Sequence, residues 1–158
     1  LRGVLSGAEQ MVTIRTQMEW IRQYIELQRF RYDDAFDALV ECDERAANCR
    51  IPKLLIQPLV ENAILHGVDM TAGNGIITVI ARRQGDTIAI QVEDNGAGMT
   101  KERIRDVMTA KEDVDRPHLG VRNVHERIRL HFGEGWGLHI ESAPERGTQI
   151  TLSFPALE

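Results

Sequence analysis

Hydrophobic positions near the start of the chain recur with helical spacing. Ile14, Met18, Ile21, Ile25 and Gln28 follow the i, i+4, i+7 rhythm of one face, and Trp20, Tyr24 and Leu27 form a second stripe beside it. Ser6 with Glu9 would make a capping box, and a later start near Thr13 fits as well. A helix with two apolar stripes needs partners on two sides. One is the rest of its own domain; the other is an upstream helix or a second subunit.

After Tyr32 the rhythm changes. AFDALVECD (35–43) alternates as a strand does. IPKLLIQPLVENAILHG (51–67) predicts a helix stopped by Gly67, with Pro58 either kinking it or marking its true start. GIITVIARRQ (75–84) and DTIAIQVED (86–94) predict two strands joined at Gly85-Asp86. Residues 100–118 are polar, with a short helix near their start. LGVRNVHERIRLHF (119–132) predicts a helix with Val121, Val124 and Ile128 on one face. GLHIESA (137–143) and GTQITLSF (147–154) close the chain as strands around a turn at Pro144 to Gly147. This order predicts an α+β fold: a two-layer sandwich, with a mixed sheet carrying helices on one face, preceded by an N-terminal helix.

Composition narrows the class. The chain has 158 residues, 42% hydrophobic and 27% charged, enough for one domain with a substantial core. A net charge of -5 argues against a nucleic-acid groove. No apolar run approaches the ~20 residues of a membrane span. Cys42 and Cys49 lack zinc-ligand spacing and read as free thiols of a reducing compartment, hence a cytoplasmic setting. A sequence that opens on Leu1 reads as part of a longer protein, whose upstream part could carry a membrane anchor.

The chemistry concentrates where strands end. Ile88, Ile90 and Val92 share one face of their strand, and Asp94 is next in that series; Thr148 leads Ile150, Leu152 and Phe154 in the same way. A carboxylate and a hydroxyl are thus expected at the edge of the core, where an unpartnered carboxylate is costly. Asp94 either caps the turn with Asn95 and Gly96 or awaits a donor on a ligand. Asn62 and His66 are i, i+4 on the predicted helix, on the face of Leu55 and Leu59. Asn62 is either a satisfied core amide or a ligand for a hard cation. Gly120 lies just before a predicted helix, as an ordinary helix-start glycine or as part of a phosphate seat.

In this order the segments resemble the Bergerat-fold ATPases, which include histidine kinases, DNA gyrase B, the mismatch-repair protein MutL and heat-shock chaperones. VENAILHG resembles the N box, DNGAGM the first glycine box, HLGVRN the second and RGTQI the final GT motif. YIELQRFRY, the whole of 51–67 and GVRNVHERIRLHFGE resemble the LytS/YehU-type sensor histidine kinases. The resemblance implies ATP and Mg²⁺ as ligands. Asp94 would accept from the adenine amino group, with Thr148 and a bridging water beside it. Asn62 would ligate Mg²⁺. Gly96 and Gly98 would let the backbone approach the nucleotide. Leu119, Gly120 and Val121 would face the phosphates, His66 would line their side of the pocket, and residues 99–117 would form a mobile lid.

Three positions depart from the family pattern. His118 replaces the first glycine of the second glycine box. Pro58 stands where hydrolytic relatives carry a water-activating Glu, and Glu61 lies about 100° around the helix from Asn62. Many kinases carry an earlier Asn at that same position. None of the five histidines lies in residues 1–50, and His125 and His131 read as surface positions on their helix. A phosphoacceptor His is therefore expected upstream of Leu1.

The resemblance thus implies a connecting helix over 1–32 and an ATP-binding catalytic domain over 33–158. That domain would transfer the γ-phosphoryl of ATP to a His on an upstream dimerisation domain of a membrane-anchored sensor. A response regulator would be its downstream partner and the full protein a homodimer, with no nucleic acid and no membrane contact in this part. An ATP-hydrolysing switch, an anti-sigma-type serine kinase and a degenerate nucleotide sensor are the competing functions on the same fold.

Overall fold

A computed structural model describes residues 9–109 and 119–158. The first element is not the predicted helix but a three-residue strand, β1 (Met11–Thr13), which pairs antiparallel with β3 (Arg50–Pro52). The long helix α1 (Ile14–Arg31) follows at once. Thr13 is its cap, its hydroxyl accepting from the Thr16 amide at 3.2 Å, so the later of the two predicted starts holds. Ile14, Met18, Ile21 and Ile25 are buried as expected, whereas Leu27 of the second stripe stands exposed.

After α1 come β2 (Phe36–Cys42), the single turn α2 (Glu44–Ala47), β3, and α3 (Gln57–Asn62) with one π-helical turn over Ala63–Gly67. The predicted helix over 51–67 is thus shortened at its front. Pro58 sits in the first turn of α3, where a missing N–H costs nothing, and residues 51–52 belong to β3. Then come β4 (Gly75–Gln84), β5 (Thr87–Asp94), α4 (Lys101–Thr109), α5 (Leu119–Phe132), β6 (Gly137–Ser142) and β7 (Thr148–Pro155).

The main sheet has five strands in the order β2-β4-β5-β7-β6. β2 lies parallel to β4 and the other neighbours are antiparallel, giving the expected mixed sheet. Alternation puts Ile77, Val79, Ala81, Ile88, Ile90, Val92, Ile150, Leu152 and Phe154 on one face. The buried sides of α1, α3 and α5 complete the same cluster. Each fully buried Ile, Leu or Phe there contributes about 1.5–3 kcal/mol.

Three ties join α1 and the segment before it to the rest of the domain. Arg22 and Arg29 donate to the carbonyls of Val40 and Phe36 on the outer edge of β2, which blunts an otherwise open edge strand. Gln17, 2% exposed, donates to the Pro52 carbonyl and accepts from the amides of Leu55 and Ile56. Arg127 of α5 forks onto Glu9 and the carbonyls of Lys53 and Leu54.

Candidate functional site

Pairing across three strands sets Asp94, Thr148 and Ser142 in one row. Thr148 is opposite Asp94 in the β5/β7 ladder and opposite Ser142 in the β6/β7 ladder. Directly opposed residues of antiparallel strands share a face. Asp94 is 5% exposed and Thr148 7%, so carboxylate and hydroxyl do reach the core edge, as the alternation predicts.

Asp94 is enclosed by backbone. Its Oδ1 accepts from the Gly96 amide at 2.9 Å, so the turn-capping arrangement forms. Burial raises its pKa above the ordinary carboxylate value; backbone hydrogen bonds from Gly96 and Thr148 work the other way. A β-carbon on Gly67 would lie 2.5 Å from Asp94 Cγ, and one on Gly96 would overlap the Gly67 carbonyl oxygen. Gly67, at the end of the π turn, therefore packs straight onto the carboxylate, and its carbonyl accepts from the Ala97 amide at 3.3 Å.

The glycine turn is braced from the other side too. Gly98 has φ +71°, and a β-carbon there would overlap the Ala143 carbonyl. The Glu145 amide donates to the Ala97 carbonyl, and the Met99 amide donates to Ser142 Oγ at 2.8 Å. Gly96 and Gly98 are thus small because protein backbone approaches them. Asn95 fixes the remaining edge: its Oδ1 accepts from the Ile76 amide and its Nδ2 donates to the Asn74 carbonyl.

The helix carrying Asn62 spans the distance from Asp94 to the start of α5. Gly67 touches Asp94 at one end. At the other, Pro58 lies so close to Gly120 that an added β-carbon would stand 3.2 Å from Pro58 Cβ. Nine residues separate the two ends, about 13 Å at ~1.5 Å per residue. Asn62 lies between them, half-buried, and its side chain makes no hydrogen bond among the described residues.

Two expectations need correction here. Asn62 is half-buried and His66 exposed, on a segment whose last turn is π-helical, closed by the Val68 amide on the Ala63 carbonyl at 3.0 Å. Leu55 lies ahead of the helix and is on no face of it. Gly120 does not precede its helix but sits in the first turn of α5, after Leu119. Val121 is 1% exposed, so its side chain serves the core and only its backbone is available at the helix start. The first-turn amides of α5 remain a positive helix end.

Of the predicted lid, residues 101–109 form α4, which packs on the core through Val107 and bonds through its Thr109 carbonyl to Arg122. Residues 110–118, with His118, lie outside the described residues. His125 is not a surface position: it is half-buried, and its Nδ1 accepts from the Leu138 amide at 2.9 Å. His131 is exposed as expected.

Residues 50–158 match the family described as histidine kinase-, DNA gyrase B-, and HSP90-like ATPase. Sensor histidine kinase YesM of Bacillus subtilis is 34% identical over 155 residues, covering 98% of this chain and 26% of that protein. Sensor histidine kinase YpdA of Escherichia coli is 36% identical over 147 residues, covering 93% of this chain and 25% of that protein. The chain thus spans about a quarter of the length of these curated relatives. The catalytic domain of histidine kinase ThkA, solved nucleotide-free, superposes with a TM-score of 0.71 at 14% identity, over 94% of this chain and 98% of that one. The mycobacterial sensor histidine kinase MprB gives 0.66 at 16% identity, over 94% and 98%.

Proposed function

We propose that this chain, which belongs to the histidine kinase-, DNA gyrase B-, and HSP90-like ATPase family, is the ATP-binding catalytic domain of a sensor histidine kinase. It transfers the γ-phosphoryl of ATP to an imidazole nitrogen of a segment outside this chain. The observation that carries the reading is the buried Asp94 carboxylate, backed by Gly67 and paired across the strand with Thr148. A carboxylate held in that way suits a base that presents an exocyclic amine. Asp94 accepts from the adenine amino group, and Thr148 sits beside it.

The first turn of α5, residues 119–121, offers its amides to the phosphates, about 13 Å along α3 from Asp94. His66, exposed in the π turn, is next to Gly67 and so at the Asp94 end of that segment. Asn62 fits a Mg²⁺ ion: its amide is half-buried and unengaged among the described residues, and its oxygen is a hard donor. Among the described residues no group of three or more His, Cys, Asp or Glu could hold a metal ion. One amide therefore serves together with substrate phosphates and water, as Mg²⁺ sites commonly do. The ion, when bound, neutralises charge on the phosphates.

The protein's own work is to bind, orient and screen the nucleotide, which is most of what phosphoryl transfer requires. Pro58 leaves no carboxylate where a water-activating base would stand, and this favours transfer over hydrolysis. The full protein joins this domain, residues 33–158, through a connecting helix in 1–32 to an upstream dimerisation and acceptor domain. It dimerises, signals to a response regulator and is anchored in a membrane, with this part on the cytoplasmic side. No described helix is long and apolar enough to cross a membrane.

Calorimetric titration with Mg-ATP tests the binding site. Asp94→Ala removes a hydrogen bond to a charged acceptor and lowers affinity roughly 10- to 150-fold, about 1.5–3 kcal/mol. Unchanged affinity would reject the adenine assignment. Radiolabelled ATP tests the reaction: the full-length sensor labels itself, its Asn62→Ala variant does not, and this chain alone releases little phosphate. Rapid phosphate release by the chain alone would favour the hydrolysing switch.

A further inference from the structure

Ser142 closes the row of Asp94 and Thr148, and its hydroxyl has three partners. The Met99 amide donates to Oγ at 2.8 Å, the Gly147 carbonyl lies 2.8 Å from Oγ, and the Thr148 hydroxyl lies 2.9 Å away. The proton count settles the direction of each bond. A hydroxyl owns one proton and two lone pairs. A carbonyl oxygen can only accept, so the Ser142 proton goes to Gly147. An amide can only donate, so Met99 takes one Ser142 lone pair. One lone pair is left, and the Thr148 hydroxyl must donate to it. No hydrogen bond joins the Thr148 hydroxyl to the Asp94 carboxylate among the described residues, as this direction requires.

The Thr148 proton is thus committed away from Asp94. Towards a ligand Thr148 offers lone pairs only, and the ionised Asp94 beside it also only accepts. Two neighbouring acceptors suit a base edge that brings protons and repel one that brings a carbonyl.

We propose that Ser142 sets base selectivity: by taking the Thr148 proton, it holds Thr148 as an acceptor, so that the Asp94–Thr148 pair takes a 6-amino purine and rejects a 6-oxo purine. Ser142 touches no ligand in this scheme. It is a positioning residue that acts through the proton of its neighbour. The inference rests on the adenine reading of Asp94 and adds to it the residue that fixes the donor–acceptor pattern.

Without Ser142, the Thr148 hydroxyl is free to turn and donate. A 6-oxo group then finds a donor where it met only acceptors. Inosine triphosphate is the suitable probe, because it puts a 6-oxo acceptor where adenine has its 6-amino donor, with N1 becoming N–H at the same time. A site left with unpaired polar groups rejects the mismatched ligand strongly, and a rotatable hydroxyl relieves that penalty.

The test measures dissociation constants for Mg-ATP and Mg-ITP on four proteins: the wild type, Ser142→Ala, Ser142→Thr and Asp94→Ala. The wild type prefers ATP. In Ser142→Ala the ATP-to-ITP preference shrinks about tenfold, through weaker ATP and stronger ITP binding. Ser142→Thr keeps a hydroxyl and restores the preference. If Ser142→Ala does not fold, Ser142→Cys keeps the volume with a poor hydrogen-bonding group and shows the same narrowing. Equal weakening of both nucleotides, or an unchanged ratio, overturns the role of Ser142 while leaving the adenine reading intact. Wild-type ATP affinity in Asp94→Ala overturns both.

Discussion

Gly67 and Asp94 are in direct contact: a β-carbon at position 67 would lie 2.5 Å from both Asp94 Cγ and Oδ2. The last residue of the α3 segment is thus the wall against which the carboxylate rests. Gly67→Ala forces apart either the end of the π turn or the carboxylate. Calorimetry should show nucleotide affinity falling at least tenfold, and urea unfolding a loss of about 1–3 kcal/mol. Wild-type affinity would mean that the carboxylate position is not set by this contact.

Protonation of Asp94 should separate binding from stability. Burial raises its folded pKa above 3.8, so the native state holds this proton more tightly than the unfolded chain. Between 3.8 and the folded value, a fall in pH adds stability from this group while cancelling the charge that accepts from the ligand. Adenosine affinity should therefore weaken on acidification at a higher pH than an ordinary Asp would dictate. Asp94→Asn should flatten that profile in the same titration.

His125 should make the fold sensitive to mild acid. Its Nδ1 must stay unprotonated to accept from the Leu138 amide. Burial lowers its pKa from 6.5, with Arg129 and Arg122 acting the same way and Glu126 opposing. A base depressed in the folded state contributes stability above the unfolded value of 6.5 and loses it as pH falls. The urea midpoint should drop between about pH 7 and about pH 5.5. His125→Asn, which keeps an acceptor without a titration, should remove most of that slope.

Gln17→Leu should be among the costlier changes outside the site. It strands the Pro52 carbonyl and the amides of Leu55 and Ile56, all bound to this one buried side chain. A penalty of about 2–4 kcal/mol is expected from urea unfolding, because each buried group left unpaired costs about 1–3 kcal/mol. A loss under about 1 kcal/mol would mean that water replaces the amide.

Strand alternation made most of the sheet readable. Period two fixes the face of every residue once a strand is recognised, so Ile88, Ile90 and Val92 carried Asp94 inward, and Ile150, Leu152 and Phe154 did the same for Thr148. Strands β1 and β3 were not legible, because three residues hold no period. Gln17 is i+3 from Ile14 and i–4 from Ile21, a polar residue on an apolar stripe, and that was the available signal. The π turn left no mark in the pattern of apolar positions. Ser142 needed the register across the 143–147 turn, which pairs it with Thr148. Its three partners converge from separate parts of the chain, and only the folded backbone brings them together.

Glu9 and Arg127 stand 118 positions apart in the chain. A contact across so long a loop carries a large closure entropy and raises the contact order of the fold. During synthesis from the amino terminus, the ribosome must deliver α5 before Glu9 has anything to hold. Gln17 meets Leu55 and Ile56 far sooner, and β1 meets β3 as soon, so α1 and the strand ahead of it can dock on a half-made chain. Glu9 alone waits for α5, so the last clasp on that strand is closed by the helix that begins beside Pro58.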